Sequence, residues 1–173
     1  AISTWTARYN PNVAMGRVCW SSKLMIFCAV GSTNSYVSSD GITWSSYLIQ
    51  AGITYNDVVW SNELNIFCAV GQSGIADSDN LIATSPNGTT WTIQTHNPVE
   101  NTGGLKAIDW SPELKIFNAV GSYQTNGFQT SYDGITWASL GSMGNTTSIV
   151  WANSLKYFVQ CNTFGNFGFG ISF

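Results

Sequence analysis

Apolar and polar positions alternate in short runs along most of the chain, and no stretch sustains the 3.6-residue period of an amphipathic helix. The runs are rich in Val, Ile, Phe and Trp, which suit a pleated, half-buried surface. They are also copied. Trp20–Gly31 reads WSSKLMIFCAVG, Trp60–Gly71 reads WSNELNIFCAVG and Trp110–Gly121 reads WSPELKIFNAVG. A degenerate fourth copy, WANSLKYFVQC, occupies Trp151–Cys161. A second signature follows three of them: SDGITW at Ser39–Trp44, PNGTTW at Pro86–Trp91 and YDGITW at Tyr132–Trp137.

Each copy reads as four short antiparallel strands. The first ends at the first Trp, and a tight turn follows, with Pro112 suited to the second position of a type I turn. The second strand is the Ile-Phe-x-Ala-Val run. The third leads into Asp-Gly or Asn-Gly, dipeptides that favour a type I′ turn with two positive φ angles. The fourth is expected to begin at Ile-Thr-Trp. First-Trp spacings are 40, 50 and 41 residues. Four-stranded units at this period predict an all-β chain folded as a β-propeller of four four-stranded blades. Residues 1–173 form a single domain on this reading, with blades at about 10–50, 51–99, 100–142 and 143–173 plus 1–9.

The last assignment comes from a gap. The fourth copy lacks the second signature, but the chain opens on Ala1-Ile-Ser-Thr-Trp5, which looks like its tail. First to second Trp measures 24, 31 and 27 residues within the complete copies. Counted from Trp151 through the C-terminus and on to Trp5, it is again 27. The last blade is therefore expected to be completed by the N-terminal strand. Three arrangements satisfy this arithmetic: a monomeric ring, a homo-oligomer in which two chains form an eight-bladed ring by exchanging that strand, or a piece of a longer array.

Composition narrows the class. Aromatic residues make up 14% of the 173 and charged residues only 9%, which is unlike a disordered chain. No apolar run approaches the length of a membrane span, so no membrane insertion is expected. Six Lys plus Arg against nine Asp plus Glu are too few for a basic stripe, so no nucleic-acid partner is expected. The four cysteines, Cys19, Cys28, Cys68 and Cys161, show no C-x-x-C spacing. They read as buried free thiols, with a Cys19–Cys28 bridge across a hairpin left open.

At Ser38-Ser-Asp40-Gly41-Ile-Thr-Trp44 and Ser131-Tyr-Asp133-Gly134-Ile-Thr-Trp137 the chain resembles the BNR/Asp-box class of propeller repeats. That class occurs in sialidases, lectins and phage or large-virus surface proteins. This chain departs from the usual Ser-x-Asp-x-Gly-x-Thr-Trp box in its Asp-Gly spacing, and the second copy carries Asn87 instead of Asp. The resemblance implies the fold and not one activity, because the box is a turn device. A sialidase needs three arginines, and the chain has two, Arg8 and Arg17. A galactose-oxidase copper site needs two histidines, and His96, in a polar connection, is the only one.

The remaining candidates are weighed residue by residue. Asp40 and Asp133 are read as turn residues, and Glu63 and Glu113 as solvated. Asp57 and Asp109 are expected at equivalent places lining a central channel. As a glycosidase pair they would need a defined separation across a cleft. Asp77, Asp79 and Asn80 offer oxygen ligands, but without the full spacing of a calcium loop, so no metal and no cofactor is expected. The segments after each Ala-Val-Gly carry Asn34, Tyr36, Gln72, Tyr123, Gln124 and Asn126, an aromatic and amide set suited to sugar rings and hydroxyls. The chain is thus expected to be non-catalytic, a lectin-like attachment module on a virion, phage or cell surface. Its partners would be glycans or a surface protein; the alternative is a structural or protein-interaction propeller without a small ligand.

Overall fold

In the computed structural model, which describes residues 6, 12–73, 81–94, 104–122, 127–141, 144–163 and 167–169, each repeat folds into one antiparallel sheet in chain order. Sheet 1 comprises Val18–Ser21 (β1), Ile26–Gly31 (β2), Asn34–Ser38 (β3) and Ser45–Leu48 (β4). Sheet 2 comprises Ile53–Ser61 (β5), Ile66–Ser73 (β6), Ile82–Ser85 (β7) and Thr92–Gln94 (β8). Sheet 3 comprises Leu105–Ser111 (β9), Ile116–Gly121 (β10), Phe128–Ser131 (β11) and Ala138–Gly141 (β12). Sheet 4 comprises Thr146–Ala152 (β13), Tyr157–Asn162 (β14) and Phe167–Phe169 (β15). The described residues contain no helix, as the alternation predicts. Of residues 1–9, expected as the final strand, only residue 6 is described.

The repeated residues do the same work in every copy. The first Trp stands opposite the Phe of the second strand in all four ladders: Trp20 and Phe27, Trp60 and Phe67, Trp110 and Phe117, Trp151 and Phe158. Their rings tilt against each other with centroids 4.4–4.8 Å apart, the range of a favourable aromatic pair. In the turn between them, the hydroxyls of Ser21, Ser61 and Ser111 accept the N–H of Leu24, Leu64 and Leu114. The fourth copy has Ala152 there, and its backbone carbonyl accepts from Leu155 and Lys156 instead. The residue closing each turn is left-handed: Met25, Asn65, Lys115 and Lys156, with φ between 54° and 61°.

The glycine ending each Ala-Val-Gly has a packing cause. A Cβ on Gly31, Gly71 or Gly121 would sit 2.1–2.5 Å from the carbonyl oxygen of Ala14, Thr54 or Gly104. Those three residues each lie six before the Trp of their own repeat. The approaching strand therefore excludes any side chain there.

The sheets stack in sequence. β1 packs on β5, β5 on β9 and β9 on β13. One cluster of buried apolar side chains runs through sheets 1 to 3, from Cys28 and Val30 to Phe117 and Trp137. A second joins sheets 3 and 4 through Val120, Phe128, Ile149 and Phe158. β7 and β11 are buried along their whole length, because they are covered on both faces, whereas the outer strand β4 is exposed throughout.

Candidate functional site

The outer turns come first, because three of them share one hydrogen-bond pattern. In sheet 1, Asp40 Oδ1 accepts the N–H groups of Ile42 and Thr43, both at 2.7 Å, and the hydroxyl of Ser38. The Ser38 hydroxyl oxygen in turn accepts from Gly41 N at 2.9 Å. Asp133 repeats this with Ile135, Thr136, Ser131 and Gly134. Asn87 repeats it with Thr89, Thr90, Ser85 and Gly88, its amide oxygen replacing the carboxylate. The type I′ expectation is corrected here. Only the glycine of each pair, Gly41, Gly88 and Gly134, has a positive φ, between 71° and 75°. The side-chain oxygen holds the next two N–H groups, so the fourth strand starts after the Trp, at Ser45, Thr92 and Ala138. The Thr43 and Ile42 N–H groups and the Ser38 hydroxyl hold Asp40 at about 2, below the usual carboxylate range.

These turns also join sheets. Ser35 of sheet 1 donates its hydroxyl to Gly88 O at 2.8 Å, and Trp91 Nε1 donates to Ser35 Oγ at 2.9 Å. The second-signature Trp91 therefore sits between sheets. Trp110 Nε1 reaches Glu63 of the preceding sheet at 2.8 Å, and Lys156 pairs with Glu113. Both glutamates are exposed turn residues, as expected, and each also links neighbouring repeats.

The inner carboxylates behave differently. Asp57 is 3% exposed. Its Oδ1 accepts from Val58 N at 2.8 Å and its Oδ2 from Ile108 N of the next sheet at 3.0 Å. Asp109 Oδ1 accepts from Trp110 N at 2.8 Å and its Oδ2 from Trp151 N of the next sheet at 2.7 Å. The expected equivalence of the two is corrected. Asp57 stands three residues before its Trp and Asp109 one before, on the same face of the strand but at different heights. Each bridges its own strand to the next first strand. Burial pushes Asp57 up to about 6, against the lowering effect of the Ile108 N–H and the Arg17 guanidinium, whose Nε lies 3.7 Å away. Burial likewise raises Asp109, against the Trp151 and Trp110 N–H groups.

The exchange of cysteine for Asn118 in the third copy follows from this. Cys28 stands opposite Cys19, Cys68 opposite Val59, and Asn118 opposite Asp109. The amide replaces the thiol where the facing residue is a carboxylate. All four cysteines are free thiols, with Cys28 and Cys68 buried and Cys19 and Cys161 partly so.

Of the expected rim set, Asn34, Tyr36 and Gln72 lie among the described residues. Tyr36 is corrected outright: it lies in β3, not in a loop, and is 5% exposed, so its ring face is not open for stacking. Asn34 opens β3, accepts the Thr33 hydroxyl at 2.8 Å and donates to Ser46 Oγ at 2.8 Å. Gln72 lies inside β6 and accepts from Lys106 of the next sheet. Tyr123, Gln124 and Asn126 lie outside the described residues, as do Asp77, Asp79, Asn80 and His96. Among the described residues no group of three metal-ligating side chains occurs. Among the described residues the exposed aromatics are Tyr47 on β4, Tyr132 in an outer turn and Trp20 on β1, none of them singled out from sequence as a site. A Tyr directly before the turn Asp was the available signal for Tyr132.

Neither a family model nor a curated protein matches the sequence. Solved structures do match. One is a chain of a mitotic checkpoint complex crystal structure, at TM-score 0.67 and 12% identity, covering 92% of this chain and 49% of that one. Another is the computationally designed Ika4 protein, at TM-score 0.66 and 11% identity, covering 96% of each chain. This chain thus spans about half the length of the checkpoint chain. At such identities the likeness concerns the fold alone.

Proposed function

We propose that this protein is a non-catalytic binding module, with its four sheets serving as blades of a propeller of the Asp-box type. The employment of the six carboxylates among the described residues carries the non-catalytic reading. Asp40 and Asp133 hold turns, Asp57 and Asp109 bridge sheets, Glu63 accepts an indole N–H and Glu113 pairs with Lys156. A glycosidase would need two such groups facing a substrate, and each of these six is committed to the protein itself. The three strands described for sheet 4 leave a fourth place, where residues 1–9 would fit.

A carbohydrate is the ligand class this reading favours. Support comes from the exposed outer edge of sheet 1, where Thr33, Asn34 and Ser46 form a hydrogen-bonded polar row. Amide and hydroxyl groups of this kind bond sugar hydroxyls. A glycan array probed with the intact chain tests it. Selective binding to a related set of sugars, weakened at least tenfold in Asn34→Ala and Ser46→Ala, is the expected result. A silent array from folded protein sinks the carbohydrate reading and leaves the protein-interaction alternative.

A further inference from the structure

The three junctions between successive sheets are built alike, and they reveal what is missing at the two ends. At each junction the first strand of the later sheet turns one face toward the earlier sheet. That face carries the residue two before the Trp and the Trp itself. In sheets 2, 3 and 4 these are Val58 and Trp60, Ile108 and Trp110, Ile149 and Trp151, all 7% exposed or less. In sheet 1 the same positions are Val18, 53% exposed, and Trp20, 39% exposed. Met15, Leu24 and Met25 are exposed nearby. Among the described residues no sheet covers this strand, although Ala29 and Tyr36, farther along the same face, are 5% exposed.

The opposite face, which looks toward the following sheet, is open in sheet 4. Val150 occupies the place taken by Cys19, Val59 and Asp109 in the other copies. Those three are partly buried, whereas Val150 is 54% exposed, and Leu155 in the adjoining turn is 59% exposed. The molecule therefore presents both halves of its own recurring junction, one at each end. Apolar surface of this kind, contiguous and in register with a buried counterpart, marks an association site.

The chain's own last sheet is poorly placed to fill the gap. β13 is not packed on β1 as the other first strands are packed on each other. Three junctions separate the four sheets. Two of those are held by Asp57 to Ile108 N at 3.0 Å and Asp109 to Trp151 N at 2.7 Å.

We propose that the open face of sheet 1 receives sheet 4 of a second copy of this chain, and that two chains close one ring through two such contacts. The contact is head-to-tail, and closure protects it from growing into a filament. It does not depend on what ligand the module takes.

Solution mass of the intact chain across micromolar concentrations tests the proposal first, and twice the chain mass is expected. A single-chain mass overturns it, whichever segment of the same chain then covers the face. Val18→Glu and Val150→Glu provide the second test, each placing a charge in one half of the contact. Either variant alone should weaken pairing at least ~100-fold, because an unpaired charge would be buried. Mixing the two should restore a two-chain species, since each supplies the half the other lacks. Recovery on mixing also shows that both variants are folded. Pairing that survives Val18→Glu, or variants that fold cooperatively yet do not pair on mixing, overturns the proposal.

Discussion

Asp109 and Asp133 belong to the same sheet, and each carboxylate accepts two backbone N–H groups at 2.7–2.8 Å. They are nevertheless driven in opposite directions. Asp109 is raised, because burial between sheets outweighs its bonds from Trp151 and Trp110. At Asp133 slight burial acts upward, but the Thr136 and Ile135 N–H groups and the Ser131 hydroxyl prevail and the group is lowered. The number of hydrogen bonds does not decide the outcome. What decides is whether water still reaches the charge: bonds add to solvation in the outer turn and replace it in the inner strand. The same residue type is thus a local turn lock at the rim and a strand-bridging acceptor at the centre.

The largest expected effect separates those two roles. Asp109→Ala leaves the Trp110 and Trp151 N–H groups without their acceptor between sheets and should cost about 4 kcal/mol in denaturant unfolding. Asp133→Ala should cost about 1 kcal/mol, because water replaces the carboxylate at an exposed turn. Equal losses in the two variants would break the comparison.

A smaller effect follows from pH. Asp57 titrates at about 6 in the folded chain against 3.8 as the ordinary value, so the folded state binds the extra proton between them. That stabilisation is complete below 3.8 and is lost as pH rises through 6, an effect on the order of 3 kcal/mol. Asp40 and Asp133, lowered in the folded state, contribute stability above 3.8; Asp40 loses it as pH falls toward 2, and Asp133 loses it below the usual carboxylate range. Stability should therefore rise from pH 7 to about 4 and fall again below. Asp57→Asn should flatten the upper slope, and a slope unchanged in that variant would show that another group produces it.

The smallest effect sharpens the account of the turns. Asn87 makes the same bonds as Asp40 and Asp133 through an amide oxygen. Asn87→Asp should add about 0.5 kcal/mol near neutral pH, since a charged acceptor is stronger, and the gain should vanish below pH 3. A gain that persists in acid would point away from the charge.

Much of this was legible in the chain because its cause is local. The Trp-to-Phe register follows from a hairpin of set length, and the Ser and Asp of each turn bond N–H groups within three residues. Repetition then displayed each device several times. The rim set was less legible. Tyr36 reads as a loop aromatic beside polar residues, but β3 begins at Asn34 and turns the ring inward. Asp57 and Asp109 read as equivalent because both precede a Trp, although counting back from Trp60 and Trp110 already sets them two positions apart. An acid in an otherwise apolar strand was the signal that it had a partner, though not which one.

The sequence by itself determined one sheet per repeat, the absence of helix among the described residues and the identity of the turns, because short-range bonds and period-two alternation suffice for these. Only the tertiary structure decided that Asp57 and Asp109 accept N–H groups from the next sheet, that Tyr36 is covered, and that Val18, Trp20 and Val150 are not. Those outcomes depend on which surfaces meet across a distance of some forty residues, and no local rule carries that information.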